Sequence, residues 1–337
     1  MPVEPSSSHV RTGMLYAFGA YGLWGLVPLY FKSLECQPKE IVAHRVLWSA
    51  LLLGILLTVF RRWPDFVKAI RSKRTFFMLL ASAYLVAANW YIYIFATTSG
   101  QITQASLGYF ILPLVNVVAG ILLFGERLRR AQAIALLIAA AGVLYLAISQ
   151  GGLPWIGLSL AVSFAFYGIV RKVVPVDGVV GLSVETVLLA PTAIAFLVIW
   201  ERVGGITFAH GNRDQDILIA LSGIVTTTPL IFFAQAVRRV SLVTIGVVQY
   251  MAPTLQLILG VTWFGEEFVG YHQISFGLIW FGLSIYVVDG VRAAVRKHLD
   301  TPSLEPVPEP LDGGVPLTES HLLDIRTPDP RAREASP

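Results

Sequence analysis

Residues 75–125 read TFFMLLASAYLVAANWYIYIFATTSGQITQASLGYFILPLVNVVAGILLFG and contain no Asp, Glu, Lys or Arg. A helix needs about 20 apolar residues to cross the hydrocarbon core of a bilayer, so this stretch is long enough for two crossings. The Ser99-Gly100 pair near its middle supplies residues that favour a turn. The stretch therefore predicts two adjacent membrane helices joined by a tight turn.

The rest of the chain has the same apolar character. Of its 337 residues, 55% are hydrophobic and 14% are charged, and the mean hydropathy is +0.68. Soluble globular proteins carry about 25% charged residues, so this composition indicates a polytopic protein with the lipid bilayer as its surroundings. The pI is near 9.2, but the basic residues lie between apolar stretches and form no basic domain, which argues against nucleic-acid binding.

Ten apolar stretches follow one another along the chain, and their continuity favours helices over the alternating strands of a membrane barrel. They span residues 13–31, 41–60, 75–97, 102–124, 131–149, 154–172, 179–200, 216–237, 241–264 and 268–289. We interpret the first stretch as a retained helix, because no small-residue cleavage pattern follows it. Residues 1–10 and the Pro- and acid-rich residues 293–337 are predicted to be disordered tails.

Lys and Arg are concentrated in alternate loops. Residues 61–74, between the second and third stretches, hold six of them. With both termini in the cytoplasm, the external loops hold only four, which are Lys32, Lys39, Arg202 and Arg213. The positive-inside rule therefore predicts an inner-membrane protein whose N- and C-termini are cytoplasmic.

The second half of the chain echoes the first. Residues 113–126 read PLVNVVAGILLFGE and residues 253–266 read PTLQLILGVTWFGE, at a shift of 140. A second match, at a shift of 143, pairs YGLWG at residues 21–25 with FAFYG at residues 164–168. These matches indicate that one unit is used twice.

Five helices per copy is an odd number, so the second copy crosses the membrane in the opposite sense. We therefore predict an all-α membrane protein of ten helices, built as two inverted five-helix repeats at residues 11–150 and 151–292. Inverted repeats of this kind give secondary transporters their alternating access. Duplication without transport, as in a scaffold or a channel, is the alternative.

These features resemble the drug/metabolite transporter superfamily, EamA type, over about residues 11–292. More narrowly, the chain is similar to the RarD branch in the strings AYGLWG at residues 20–25, AHRV at 43–46, YGIVRK at 167–172 and ET at 185–186. The resemblance implies a carrier of small metabolites or drugs. Members of that branch are named for chloramphenicol sensitivity, so the resemblance names a class of protein and no molecule.

Pro113 and Pro253 fall at the centres of the fourth and ninth stretches, and each frees the carbonyl four residues earlier. A freed carbonyl in a membrane must face protein, water or substrate, so we expect a cavity between the repeats. The candidate lining residues are polar or aromatic: Trp24, Asn89, Trp90, Tyr109, Asn116, Tyr167, Gln249, Tyr250 and Gln256. The alternative is a packing kink, with the polar groups bonded to neighbouring helices.

Arg45 and Glu185 are the only formal charges well inside the predicted spans. Burying either costs about 2.5–3.5 kcal/mol, so each is expected to face the protein interior or water. Arg45, with the adjacent His44, is a candidate for attracting an anionic group at the outer mouth, and snorkelling to the interface is the alternative. Glu185 is the candidate for proton coupling, and a neutral, hydrogen-bonded structural role is the alternative.

The Gly-Glu pairs at residues 125–126 and 265–266 are repeated as well. We expect a structural role for both pairs. The glycine ends one helix, and the glutamate precedes the next helix, whose dipole favours an anion at its start.

No phosphate loop, His-Glu-x-x-His or nucleophile elbow occurs, so neither an enzyme nor a cofactor is predicted. Cys36 is the only cysteine, and His44 and His272 lie far apart, so no metal site is expected. The predicted function is a secondary carrier, an exporter or permease, of a small metabolite or drug. Proton coupling and a homodimer stay open, and a lipid-head-group flippase and a non-transporting scaffold or sensor are the alternatives.

Overall fold

A computed structural model of the chain describes residues 7–124, 129–210, 212–237, 239, 240, 245 and 248–299. The chain divides into a unit of residues 1–294 and a second unit of residues 295–337. The predicted C-terminal tail lies outside the described residues from residue 300 onward. Every element assigned in the described ranges is a helix or a turn, so the all-α prediction is confirmed.

Eleven helices are described, and each predicted membrane stretch corresponds to one of them. The first six are α1 (Ser7–Lys32), α2 (Pro38–Val59), α3 (Trp63–Arg71), α4 (Lys73–Thr98), α5 (Ile102–Phe124) and α6 (Arg130–Ser149). The others are α7 (Trp155–Val173), α8 (Gly178–Arg202), α9 (Arg213–Val237), α10 (Met251–Ile258) and α11 (Gly270–Leu299). A five-residue π-helix, Leu259–Trp263, extends α10.

Within the described ranges, eight helices are long and apolar enough to cross a membrane: α1, α2, α4, α5, α6, α8, α9 and α11. Two shorter apolar helices, Trp155–Arg171 and Met251–Trp263, occupy the sixth and ninth predicted stretches. Together they make the ten helices of the predicted fold. The terminal helices extend into the predicted tails, because α1 begins at Ser7 and α11 ends at Leu299.

The short helix α3 was not predicted. Its nine residues carry too many charges to form an apolar stretch, and the sequence places them in a cytoplasmic loop. In the structure, α3 is amphipathic. It buries Phe66 and Ala69 against α4 and α8 and leaves Lys68 and Arg71 exposed. This pattern is typical of a helix that lies along the membrane surface.

The repeat is visible in where the helices begin. The starts of α2 and α8, of α4 and α9, and of α6 and α11 differ by the same shift as the sequence motifs. A Cβ atom on Gly142 of α6 would lie 2.9 Å from the carbonyl oxygen of Ser275 in α11. The equivalent contact, from Gly282 to the carbonyl oxygen of Ala135, measures 2.7 Å. Residues 135 and 275 are related by the same shift, so the helix pair has a local two-fold symmetry.

The prediction for Pro253 is wrong in one respect. Pro113 lies inside the continuous α5, as expected. Pro253 is the third residue of α10, after a turn at Gln249 and Tyr250, and so it does not lie at a helix centre. The Gln249 carbonyl is not free, because it accepts a hydrogen bond from the Ala252 amide at 3.3 Å. Most of the predicted ninth stretch before this turn lies outside the described residues.

Candidate functional site

The repeats are joined at the end of the bundle where α1 ends and α2 begins, which the charge bias predicts to be external. We call it the outer end. Glu266 of the second repeat accepts hydrogen bonds there from the amides of Ile102 at 2.6 Å and Thr103 at 2.7 Å. These amides belong to the first turn of α5, where backbone N–H groups have no partner within the helix. The positive end of the helix dipole lies there as well, so a carboxylate is a favourable acceptor.

This contact corrects the role expected for Glu266. The sequence assigned the carboxylate to the helix that follows it in the chain, which is α11. In the structure, it bonds to the start of α5, in the opposite repeat. The repeat gives Glu126 the equivalent position, but Glu126 and residues 241–244 lie outside the described residues. Sequence symmetry identified the residue and gave no information about its partner.

Side-chain bonds between the repeats also link the start of α9 to the end of α1. The Tyr30 hydroxyl donates to the carbonyl oxygen of Leu218 at 2.8 Å. The Gln215 amide donates to the Ser33 carbonyl and accepts from the Glu35 amide, each at 3.0 Å. All three bonds join segments that are far apart in the chain, so they hold the outer end of one repeat against the other.

Glu40, a residue that the sequence analysis did not select, is fully buried at the outer end. Its Oε1 accepts hydrogen bonds from the amides of Thr207 at 2.8 Å and Phe208 at 3.2 Å, in the loop after α8. His44 lies beside it, with Nε2 3.9 Å from the same oxygen and its ring 4.8 Å from that of Phe208. His44 therefore contributes to this closure.

A hydrophobic cluster fills the space under these bonds. It draws on six helices and on both repeats, with Phe31, Leu34, Cys36, Ile41, Tyr93, Ile94, Ala96, Ala105, Ile156, Leu160 and Ile219 as its members. Most of these side chains are almost completely buried. Together with the polar contacts above, this outer cluster closes the outer end.

Arg45 lies below the outer cluster and is only 9% exposed. Its guanidinium carbon is 4.2 Å from the ring centroid of Trp90 and 5.6 Å from that of Phe31. Arg45 makes no ion pair or hydrogen bond with any residue in the part of the chain described, and its Nε is fully buried without a partner. Burial at this depth does not fit the snorkelling alternative.

Glu185 is fully buried and has three partners on α4 and α7. Its Oε1 accepts a hydrogen bond from the Ser82 hydroxyl and lies 3.7 Å from Nη1 of Arg171. Its Oε2 accepts a hydrogen bond from the Tyr167 hydroxyl at 3.3 Å. The sequence placed Arg171 among the cytoplasmic loop charges, and only the packing of α7 on α8 shows that it faces Glu185.

A row of aromatic rings connects the surroundings of Arg45 with those of Glu185. Tyr93 lies 6.1 Å, between ring centroids, from Phe31, which faces Arg45, and 5.8 Å from Tyr109. Tyr109 is followed by Phe164 at 6.4 Å, and Phe164 by Tyr167 at 5.6 Å. The row crosses α4, α5 and α7, so residues from both repeats form it.

Two predicted cavity residues bond to the backbone of a helix in the other repeat. Asn89, 1% exposed, donates to the Leu160 carbonyl at 3.0 Å and to the Ser163 hydroxyl at 2.9 Å. Gln256, 3% exposed, donates to the Trp24 carbonyl at 3.1 Å. These bonds match the packing alternative for the NH2 groups of both side chains, but the buried Oε1 of Gln256 has no hydrogen-bond partner among the described residues.

The other predicted cavity residues are not brought together. The Tyr250 ring stacks on Phe110 at 6.4 Å, on the side of α5 that faces α11. Asn116 is exposed in the inner half of α5, and Gln249 and Trp24 are half-buried. The structure therefore groups Trp90, Tyr109 and Tyr167 with the two charges and places the remainder elsewhere.

The inner end carries its own contact between the repeats. Asp177 caps α8 by accepting from the amides of Val179 at 2.7 Å and Val180 at 3.4 Å, and its Oδ2 lies 3.3 Å from Nη2 of Arg62. Partial burial alone would raise the pKa of Asp177, but these hydrogen bonds and the Arg62 charge lower it.

An open groove of about 580 Å³ lies on the surface of α3. It is lined by Trp63, Pro64, Val67, Lys68 and Arg71.

The known proteins that this chain resembles are members of one transporter family or are named as transporters. The profile of the EamA-like transporter family matches residues 11–148. Protein RarD of Streptomyces exfoliatus is 41% identical over 307 residues, covering 88% of this chain and 98% of the relative. Protein RarD of Escherichia coli (strain K12) is 40% identical over 291 residues, covering 86% and 98%. An uncharacterized transporter of Vibrio cholerae is 39% identical over 294 residues, covering 87% and 97%.

A solved crystal structure shows the same fold. It matches with a TM-score of 0.53 and 19% sequence identity, covering 82% of this chain and 96% of the other. At that identity, the likeness concerns the fold alone.

Proposed function

Because the chain belongs to the EamA-type, RarD-like transporters, we propose that it is a secondary carrier that exports a small amphiphilic metabolite or drug by alternating access. Its family and its relatives point to a multi-pass membrane transporter of a small molecule rather than to an enzyme. We place it in the inner membrane with both termini in the cytoplasm, as the charge bias predicts.

The observation that carries the mechanism is the bond between Glu266 and the start of α5. It joins the two repeats at the outer end through two hydrogen bonds between a carboxylate and backbone amides. Inverted repeats offer two related packings, and the second should join the halves at the opposite end. In the repeat, Glu126 and residues 242–243 are the counterparts of Glu266 and of Ile102 and Thr103. We propose that the two glutamates close the outer and inner ends in turn.

The row of Tyr93, Tyr109, Phe164 and Tyr167 would form one wall of the substrate path. Aromatic faces suit a ring-bearing or amphipathic solute, because they offer apolar contact together with a phenol hydroxyl. The row ends at Glu185, whose carboxylate accepts hydrogen bonds from Ser82 and Tyr167 and forms an ion pair with Arg171. Adding a proton to Glu185 would weaken its attraction for Arg171, which would keep only its hydrogen bonds to the carbonyls of Asp177 and Gly178, each at 3.4 Å. We therefore propose Glu185 as the coupling site.

The test is flux in proteoliposomes. Labelled amino acids, drugs and small metabolites are supplied to purified protein with and without an imposed pH gradient. Gradient-dependent flux of one solute supports a coupled carrier. Flux that ignores the gradient supports a facilitator in which Glu185 is structural.

Absence of flux from folded, oriented protein would contradict the carrier proposal. Lipid-head-group movement in the same vesicles would then indicate a flippase. A scaffold or sensor that acts through its C-terminal tail is separated by deleting residues 301–337, since a carrier should keep its flux without them.

A further inference from the structure

Arg45 is a buried cation without a counter-ion in the described part of the chain. Its side chain is only 9% exposed, and Nε has no hydrogen-bond partner. Glu185, the other charge deep in the bundle, lies 3.7 Å from Arg171. Charges inside a membrane bundle normally pair with one another or with backbone carbonyls. Arg45 thus departs from the pattern that Glu185 follows, because the partners described for it are aromatic rings and not a counter-ion.

The surroundings of Arg45 define the chemistry of that partner. The guanidinium offers five N–H donors and no acceptor, so the missing group must be an acceptor, and a planar carboxylate matches its geometry. Trp90 lies 4.2 Å from the guanidinium carbon and Phe31 lies 5.6 Å from it. The Phe31 ring in turn contacts the rings of Tyr30 and Tyr93, at centroid distances of 5.2 and 6.1 Å. This setting provides one positive charge and a largely aromatic wall.

We propose that Arg45 binds the carboxylate of an aromatic monocarboxylate while the ring of the solute lies against Trp90 and the Tyr93–Tyr109 pair. A single guanidinium neutralises one negative charge. A phosphate monoester dianion at the same place would keep an unpaired charge among aromatic rings, which is costly in a low-dielectric interior. This inference rests on the proposed function, because it names the substrate class of that carrier.

The position of Arg45 also fits a site reached from within the bundle. The outer cluster and the bonds of Glu40 cover the outer end above it, so an anion in the external medium has no direct path to the guanidinium in this conformation. The aromatic row leads away from Arg45 towards Arg171 on α7 and Glu185 on α8. A solute bound at Arg45 would therefore enter along that row when the outer end is closed.

The test measures binding without transport. Thermal unfolding of detergent-purified protein is followed with increasing 3-phenylpropionate and with its neutral analogue 3-phenylpropanamide. Ligands that bind only the folded state raise the Tm in proportion to their occupancy, so the titration gives an affinity. We expect the carboxylate to raise the Tm and the amide to have little effect. In Arg45→Gln the affinity for the carboxylate should fall about 30-fold or more, and Arg45→Lys should retain part of it.

Lys39→Gln is the matched control. Lys39 lies on the same helix, and its ammonium rests 3.4 Å from the ring centroid of Trp200 at the outer surface. Its removal should leave the carboxylate response unchanged. Equal responses to carboxylate and amide, or a full carboxylate response in Arg45→Gln, would overturn the proposal.

A structural role for Arg45 makes the opposite prediction for the protein without ligand. If Arg45 serves binding, Arg45→Gln should unfold at the same temperature as wild type or at a higher one, because an unpaired buried charge has been removed. A Tm well below that of Lys39→Gln would show that Arg45 supports the fold.

The binding and flux measurements separate this inference from the proposed function. Carboxylate binding that depends on Arg45, together with an absence of flux, would refute the carrier function alone. Flux that is unaffected by Arg45→Gln would refute this inference alone.

Discussion

Arg45 and Glu185 occupy equivalent positions in the two repeats and carry opposite charges. Their numbers differ by the same shift as the repeated motifs, and each lies seven residues after the start of its helix, at Pro38 in α2 and at Gly178 in α8. Since the repeats are inverted, Arg45 is near the outer end and Glu185 near the inner end. Equivalent sites in the two halves therefore differ in chemistry, and we expect each to serve a separate step of transport.

Glu185→Gln should abolish the pH dependence of flux. The glutamine keeps an oxygen that accepts from Ser82 or Tyr167, so insertion and folding should survive, but it neither gains nor loses a proton and does not attract Arg171 as an ion. Flux of a substrate is measured with and without a pH gradient.

The control for this change is Glu201→Gln, on the same helix. Glu201 is about half exposed, 3.1 Å from His210 at the outer surface. It should keep the wild-type response. A pH dependence that persists in Glu185→Gln would remove Glu185 from the coupling mechanism.

Glu266→Ala should favour opening of the outer end. The change leaves the amides of Ile102 and Thr103 without acceptors at a helix start, which costs about 1–2 kcal/mol, or about a ten-fold shift in the open population. The shift is measured as the maleimide labelling rate of Ile219→Cys, a buried position of the outer cluster, in a background where Cys36 is replaced by serine.

Glu267→Gln is the control, since Glu267 is exposed beside Glu266. Its labelling rate should equal that of the parent. Equal rates in Glu266→Ala and Glu267→Gln would show that the carboxylate of Glu266 does not hold the outer end closed.

Particular residues show what the sequence could predict. Hydropathy located ten apolar helices, and the constant shift between the two halves identified the repeat, because both signals recur along the chain. The sequence did not predict the partners of Glu266 and Arg171. Each contact depends on which helices pack against one another, and the periodicity of a sequence carries no information about that. Asn89 was predicted as a cavity residue because it is polar, and only the structure shows that its NH2 group donates to α7.

The orientation of the helices can be tested by labelling from outside the cell. Burial raises the pKa of the native Cys36 thiol to about 12, so Cys36 should react slowly, and it is replaced by serine for a clean background. With both termini cytoplasmic, Gly152→Cys, in an exposed turn after α6, should react with an impermeant maleimide in intact cells. Lys73→Cys, at the start of α4, should react only after lysis. The reverse pattern would contradict the charge-based topology.

Asp177→Ala should destabilise the protein more than Asp177→Asn. Alanine removes both the cap of α8 and the Arg62 contact, at a cost of about 1–2 kcal/mol, whereas asparagine keeps a capping oxygen and loses only the partly exposed ion pair. The Tm in detergent at pH 7 gives the order.

The pH dependence of this contribution follows from the lowered pKa of Asp177. A carboxylate whose folded pKa is below its unfolded value of about 3.9 stabilises fully above that value. The stabilisation is lost as the pH falls through the folded pKa. The gap between wild type and Asp177→Ala should thus be constant near neutrality and shrink under strong acid, and a gap that widens there would refute the assignment.

Gly142→Ala and Gly282→Ala should destabilise the protein to a similar extent, because they break equivalent contacts. Each added methyl group meets a backbone carbonyl oxygen, at 2.9 Å from Ser275 and 2.7 Å from Ala135, and neither backbone can turn aside as a flexible side chain would. Overpacking of this kind costs about 1–3 kcal/mol, which should appear as a lower Tm for both variants.

Gly277→Ala on α11 is the matched control, since a Cβ atom at this position would have no neighbour within 4 Å. Because alanine has a higher helix propensity than glycine, this variant should be as stable as wild type or slightly more stable. A large loss in one variant and none in the other would mean that α6 and α11 do not pack with the two-fold symmetry that the repeat implies.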